Sequence, residues 1–410
     1  MGEILFLAHR IPFPPDRGDK IRSHHLLKEL VRMAPVHVAC FGETDGDMAQ
    51  EGALKQVAAS YRLARRTRPL WRAGVEALQS GKPVSLTAFD DRPLRAWVDH
   101  AVANRGIDTI FVFSGQMGQY VPEHFSGRVI VDLCDVDSAK FDAYARTGSF
   151  PRRWIDAREG RLLAAEETRL AQRADHTLLI SENEAALFAS RQPQGAQADV
   201  QVLRNGIDHR FFDPQSAAPH HKLATEPGPH FVFTGQMDYA PNVAAAERVA
   251  ARILPAVREQ YPTAQFHIVG RAPVAKLRAL DGRNGVRVWG EVPDVRPFLA
   301  GADIVIAPLD IARGVQNKVL EAMAMARPVL LTPEAATGID AADGEHFAIA
   351  ADDAALVRRA LALLADGAAA LSMAAAARRF VVERQGWPAM LAPLAGLVGK
   401  RVTEQRRDAA

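Results

Sequence analysis

The chain has 410 residues, with 50 Lys and Arg against 48 Asp and Glu and a formal charge of only +2, so length allows two or three domains of roughly 100–200 residues and charge carries no nucleic-acid signature. A composition of 48% hydrophobic and 24% charged residues excludes a mainly disordered chain, and no apolar run approaches the roughly 18 residues of a bilayer span. Two cysteines, Cys40 and Cys134, build neither a disulfide framework nor a zinc site by themselves, and residues 1–6 show no basic leader or cleavage site, so a cytoplasmic protein is expected.

In chain order, short β-rich apolar runs alternate with helical patterns. Strands are expected at 4–8, 36–41, 109–113, 129–133 and 177–180, and an amphipathic helix at 19–34 with Ile21, Leu26, Leu27, Leu30 and Val31 on one face. A basic cluster, Arg62, Arg65, Arg66, Arg68 and Arg72, surrounds Leu70 and Trp71. It reads either as a solvated helix or loop or as a contact for anionic headgroups or a lipid-linked substrate.

The pattern then restarts. Strands are expected at 231–234, 265–269, 286–289, 304–307 and 329–331, helices at 242–258 and 317–326, and an Ala-rich helical region at 354–384. Buried strands joined by helices imply parallel sheets covered on both faces. The expected architecture is α/β: two Rossmann-like, doubly wound domains, 1–212 and 230–385, facing across a cleft. A polar, Pro-containing linker spans 213–229, and 386–410 is a helical segment free to pack back on the first domain.

Dinucleotide, Walker, zinc-protease and nucleophile-elbow motifs are all absent. Asp135-Val136-Asp137 after a strand could hold a divalent cation, but capping of the strand end is favoured, so no metal and no cofactor are expected. The stretch after 304–307 carries more chemistry. A loop enters a helix whose free N–H groups and partial positive charge suit a diphosphate. Lys318 adds a point charge, and Arg313 upstream offers a guanidinium fork. Glu321, one turn further, can accept two hydrogen bonds from a ribose diol. The competing reading makes Lys318 and Glu321 an i,i+3 surface pair. In the first domain, Asp16-Arg17-Gly18-Asp19 is either a loop whose Gly18 admits a ligand or a plain turn with Asp19 as helix cap.

Glu321-Ala322-Met323-Ala324 followed by Pro328-Val329 resembles the donor motif of GT-B glycosyltransferases of family four. Asn205-Gly206-Ile207-Asp208, Val269-Gly270 and Trp289-Gly290-Glu291-Val292-Pro293 match further passages in the same order. The resemblance implies a retaining, metal-independent transfer of sugar from a nucleotide-diphosphate sugar to an acceptor. Arg313, Lys318 and Glu321 are the implied catalytic set, Glu321 on the ribose. Arg17, Gly18, Gly235, Gln236, Arg271, Val292 (through its backbone, toward the base), Gly314 and Asn317 are the implied donor contacts. Asp16, Arg22, Ser114, Asp135 and Asp137 are the implied acceptor side. Three positions depart from the family: Arg313 replaces a Glu, Gly235-Gln236 carries no Arg–Lys clamp, and Ser114 or Gln116 stands where many members have a His. Residues 12–22, 132–140 and 316–325 also resemble the sugar transferases of bacterial PEP-CTERM/exosortase systems. That resemblance implies exopolysaccharide synthesis with a glycan or lipid-linked acceptor at the inner membrane face. An epimerase using Asp135, Asp137 or His9, and a non-enzymatic nucleotide- or glycan-binding relative, stay open as alternatives.

Overall fold

The structure, a computed structural model, describes residues 2–312 and 315–401. The described residues form two compact units, one of residues 2–205 with 390–401, the other within Gly206–Ala389. Residues 213–229, expected as a linker, therefore belong to the second unit, and within it Ile207 N donates to Gln385 O (2.8 Å).

Among the described residues the first unit holds seven strands: β1 (Glu3–Ala8), β2 (Val36–Gly42), β3 (Ser60–Arg65), β4 (Ile107–Phe113), β5 (Arg128–Cys134), β6 (His176–Leu179) and β7 (Val200–Val202). Their order is β3-β2-β1-β4-β5-β6-β7, and every pairing is parallel. The central strands are continuously apolar because helices cover both faces: Ile4 to Ala8 and Ile110 to Val112 are fully buried. β3 carries Arg62 and Arg65 on an edge strand where a helix or loop was expected. It pairs with β2 alone, so apart from buried Ala64 its residues are half-buried or exposed.

Helix Gly18–Met33 starts one residue before its expected position, and its inward face differs. Leu26, Leu27 and Leu30 are buried as expected, whereas Lys20, Arg22 and Ser23 in the first turns are buried and Ile21 is not. After Ala389 the chain returns to the first unit. There Leu391, Leu394 and Val398 are buried, Lys400 Nζ binds Asp108 (2.6 Å) and Arg128 Nη1 donates to Leu397 O (2.8 Å).

The second unit repeats the plan with β8 (His230–Thr234), β9 (Gln265–Val269), β10 (Val286–Gly290), β11 (Ile304–Ala307), β12 (Val329–Leu331) and β13 (Ala348–Ile349). The order is β10-β9-β8-β11-β12-β13, again all parallel. Phe231, Phe233 and Phe266 are almost wholly buried, each worth roughly 1.5–3 kcal/mol of burial. In both sheets the strand order reverses once, between β1 and β4 and between β8 and β11, and such switch points open ligand crevices beyond the strands' carboxyl ends. Among the described residues no single helix is long and apolar enough to cross a membrane. Asp353–Ala365 and Gly367–Gln385 pass that test only together, bent by 102°, and both bury residues in the second unit's core.

Candidate active site

In the second unit, three neighbouring strands end in glycines with positive φ: Gly235 (154°), Gly270 (148°) and Gly290 (69°). They are stitched together, Gly235 N to Val269 O at 3.0 Å and Gly270 N to Gly290 O at 2.8 Å. A Cβ on Gly270 would sit 1.6 Å from Gly235 O, and one on Gly235 would meet Asn242 Nδ2 at 2.9 Å and Lys318 Nζ at 3.1 Å. Only glycine lets the two chains approach that closely.

Lys318 stands in the first turn of helix Asn317–Ala324, whose N-cap, Gln316, makes no side-chain cap. Its Nζ donates to Asn242 Oδ1 (2.5 Å) and lies over the Phe233 ring, 4.5 Å from the centroid. Asn242 Nδ2 in turn donates to Gln236 O (2.9 Å), and Arg271 Nη2 donates to Gln236 Oε1 (2.8 Å). Burial pulls the Lys318 ammonium down to about 8 against the attraction of Glu321. Burial likewise pushes the Glu321 carboxyl up to about 7, with Lys318 pulling it back. Both charges are half-buried, so each is held against its own desolvation. Asn317 is exposed, and Val292, just past β10, packs half-buried against the unit's core. Arg313 and Gly314 lie outside the described residues.

In the first unit, the loop after β1 and the start of the following helix form a charged knot. Asp19 binds Arg10 Nη1 (2.5 Å), Arg17 Nε (2.9 Å) and His9 Nε2 (3.2 Å), and Arg10 Nε also reaches Glu43 (2.9 Å). Burial pushes the Asp19 carboxyl up, but hydrogen bonds from His9 and Arg10 more than reverse this and hold it well below the usual range. His9 stacks on Phe113 at the end of β4 (5.7 Å). Beside it, Ser114 adopts φ 76° and donates to Gln116 Oε1 (2.6 Å). His9, Arg10, Glu43, Arg66 and Gln116 wall a cavity of about 430 Å³ beyond the carboxyl ends of β1–β4, with Phe89 and Ile155 supplying apolar wall.

The other expected residues are placed differently. Arg22 is buried, bidentate to Asp132 (2.8 and 3.2 Å) and bonded to Asn205 Oδ1 (2.7 Å), so all its charge is spent inside the unit. Asp135 and Asp137 clamp Lys140 Nζ (2.9 and 3.0 Å), and an ammonium occupies the position a cation would take. Asp16 and Gly18 are exposed, and a Cβ on Gly18 would meet nothing within 4 Å.

Residues 228–366 match the family model "Glycosyl transferases group 1". This stretch is a group 1 glycosyl transferase domain. By fold, the chain is similar to sucrose-phosphate synthase from Thermosynechococcus elongatus (16% identity, 97% of this chain and 98% of that one, TM-score 0.59). It is also similar to Anabaena HepE in complex with UDP and glucose (15%, 97% and 100%, 0.61), and to WaaG, a glycosyltransferase involved in lipopolysaccharide biosynthesis (17%, 97% and 100%, 0.58). These likenesses establish the fold as GT-B, two Rossmann-like units. No curated protein matches the chain by sequence.

Within the glycosyl transferase domain the structure gathers Gly235, Gln236, Arg271, Lys318 and Glu321 at one end of the sheet. Asn242, which joins Lys318 to the β8 loop, is the member that sequence reading missed. Its only signal is a polar residue three positions after Tyr239 in a helix's first turn, and ordinary exposed residues share that signal. The His9–Arg10–Asp19–Glu43 knot was also missed, because its members come from three separate segments.

Proposed function

We propose that the protein transfers a glycosyl group from a nucleotide-diphosphate sugar to a hydroxyl acceptor, with retention at the anomeric carbon and without a resident metal. The observation that carries this reading is Lys318 and Glu321 beside the glycine-lined ends of β8 and β9, inside a glycosyl transferase domain. HepE, similar in fold, is known with UDP-glucose, which supports a donor of that class here.

In this reading the bare backbone at Gly235 and Gly270 leaves room for the diphosphate. The uncapped N–H groups of helix Asn317–Ala324 and the Lys318 ammonium face it, where negative charge grows as the leaving group departs. Glu321 accepts hydrogen bonds from the ribose diol. The bond from anomeric carbon to diphosphate oxygen breaks, and the acceptor oxygen bonds the same face. The acceptor's proton passes to the departing phosphate oxygen, so no protein nucleophile is needed. Arg271 with Gln236 takes the place of the family's clamp. The cavity of the first unit, with charged groups on one wall and Phe89, Phe141 and Ile155 on the other, suits a glycan or lipid-linked acceptor. Resemblance over residues 12–22 and 132–140 supports a role in bacterial exopolysaccharide or glycoconjugate synthesis.

The test is a thermal-shift screen against UDP, GDP, ADP and TDP and their sugars, with and without EDTA, followed by NMR of the product anomer. One nucleotide should raise the melting temperature by mass action with or without EDTA, and Glu321→Ala should abolish the shift. Lys318→Ala should lower turnover more than donor affinity, because its contact tightens as charge develops. An inverted product, or a shift that requires a metal, refutes the corresponding part of the reading.

A further inference from the structure

Helix Leu70–Ser80 is inside out. The residues it buries are Ala73 and Ala77, while Leu70 (67% exposed), Trp71 (73%), Val75 and Leu78 (61%) point to solvent. A surface helix ordinarily turns its large apolar side chains to the core, so this face is built to be covered. It continues onto a second element. Arg158 Nη2 donates to Ala77 O (2.8 Å), and Glu159 accepts from Val84 N and Ser85 N (2.7 Å each). These bonds fix the start of helix Arg152–Arg173 alongside, where Phe150 (87% exposed), Trp154 and Ile155 are also exposed.

The charge around this apolar surface is predominantly positive, although Arg65 pairs with Asp45 (2.6 Å) and Arg66 with Glu43 (2.8 Å). Between Ser60 and Lys82 stand six basic side chains and one acidic one. That one, Glu76, is shared by Arg68 and Arg72. Arg65, Arg66, Arg68, Arg72 and Arg92 line a groove of about 580 Å³ on its flank, together with Asp90 and Asp91. Arg146, Arg152 and Arg153 border the second apolar group. A chain of net charge +2 thus concentrates its excess positive charge around its most exposed tryptophans.

We propose that this surface of the first unit docks on an anionic lipid bilayer. The exposed apolar side chains enter the headgroup boundary, and the arginines meet lipid phosphates. Charge complementarity selects this occupant over a second copy, which would set arginine against arginine. The inference does not depend on the donor reading. Leu70 and Ile155 also line the 430 Å³ cavity, so docking would bring that cavity's rim to the lipid surface.

The full chain is sedimented with vesicles of phosphatidylcholine, and of phosphatidylcholine with phosphatidylglycerol, while tryptophan emission is followed. Trp71 and Trp154 are the exposed members of the five tryptophans, so insertion should shift emission to the blue. Binding should require phosphatidylglycerol and fall in high salt. It should weaken about tenfold or more in Trp71→Ser/Leu78→Ser, and in Arg62→Gln/Arg153→Gln. All these substitutions lie on exposed positions, so the melting temperature and the nucleotide thermal shift should be unchanged. Absence of binding to anionic vesicles at low salt, or binding that Trp71→Ser/Leu78→Ser leaves intact, overturns the proposal. So does a self-association that the same double substitution dissolves, which would make the face a protein interface.

Discussion

At the scale of single residues, Glu321 is held at a cost. Its carboxyl titrates near 7 because burial disfavours its charge. A carboxyl raised in the folded state contributes stability that is complete below its unfolded value of about 4.5 and is lost as pH rises through about 7. Glu321→Gln should therefore melt higher than the parent at pH 8, by about 1–2 kcal/mol after solvent screening. The gain should vanish by pH 4.5, and the same variant should bind nucleotide more weakly. Melting curves of both proteins from pH 4.5 to 8 decide it, and parallel curves would remove Glu321 from the buried charge pair. The sequence made this pair legible because an i,i+3 spacing after a strand places both groups in the first turns of one helix. Asn242 was not legible, since its partner lies 76 positions away and nothing local marks it. Arg22 looked like a ligand contact beside a loop. That Asp132 neutralises it, and that Asn205 accepts a hydrogen bond from it, could be learned only from the folded chain.

At the scale of elements, the glycines at strand ends divide into those that are required and those that are not. Gly270→Ala would drive a methyl group into Gly235 O, and its φ of 148° suits no L side chain. It should cost more than about 3 kcal/mol and disrupt nucleotide binding. Gly18→Ala meets no atom within 4 Å and should change stability by less than about 0.5 kcal/mol. Chemical denaturation of the two variants checks the contrast, and equal effects would contradict the close approach of β8 and β9. The alternation of strands and helices was readable throughout, because fully buried parallel strands are unbroken apolar runs. The marginal strands β3, β7 and β13 escaped. Each is short or lies at a sheet edge, where half the pattern is solvated.

At the scale of the whole molecule, the two units have separate cores, and acid should act on the second through one chain of imidazoles. Trp289 Nε1 donates to His267 Nδ1 (3.1 Å), so His267 Nε2–H donates to His230 Nδ1 (3.0 Å), whose Nε2–H faces Glu226 O (3.2 Å). Burial, with His230 adding to it, pushes His267 down to about 3. A depressed histidine contributes stability that is complete above about 6.5 and is lost as pH falls toward its folded value. The second unit should lose about 2 kcal/mol between pH 7 and 5, and His267→Gln should flatten that loss. Calorimetry at the two pH values tests it, and an unchanged second-unit transition would refute it.

The return of residues 390–401 to the first unit also sets an order of events during synthesis. Leu391, Leu394 and Val398 complete the first unit's packing, yet the ribosome makes them only after the whole of Gly206–Ala389. Domains generally mature in the order in which they emerge. Here the second unit can finish while the first still waits for its last apolar side chains. A nascent chain halted after Ala389 would carry a mature nucleotide-side unit beside an incomplete neighbour.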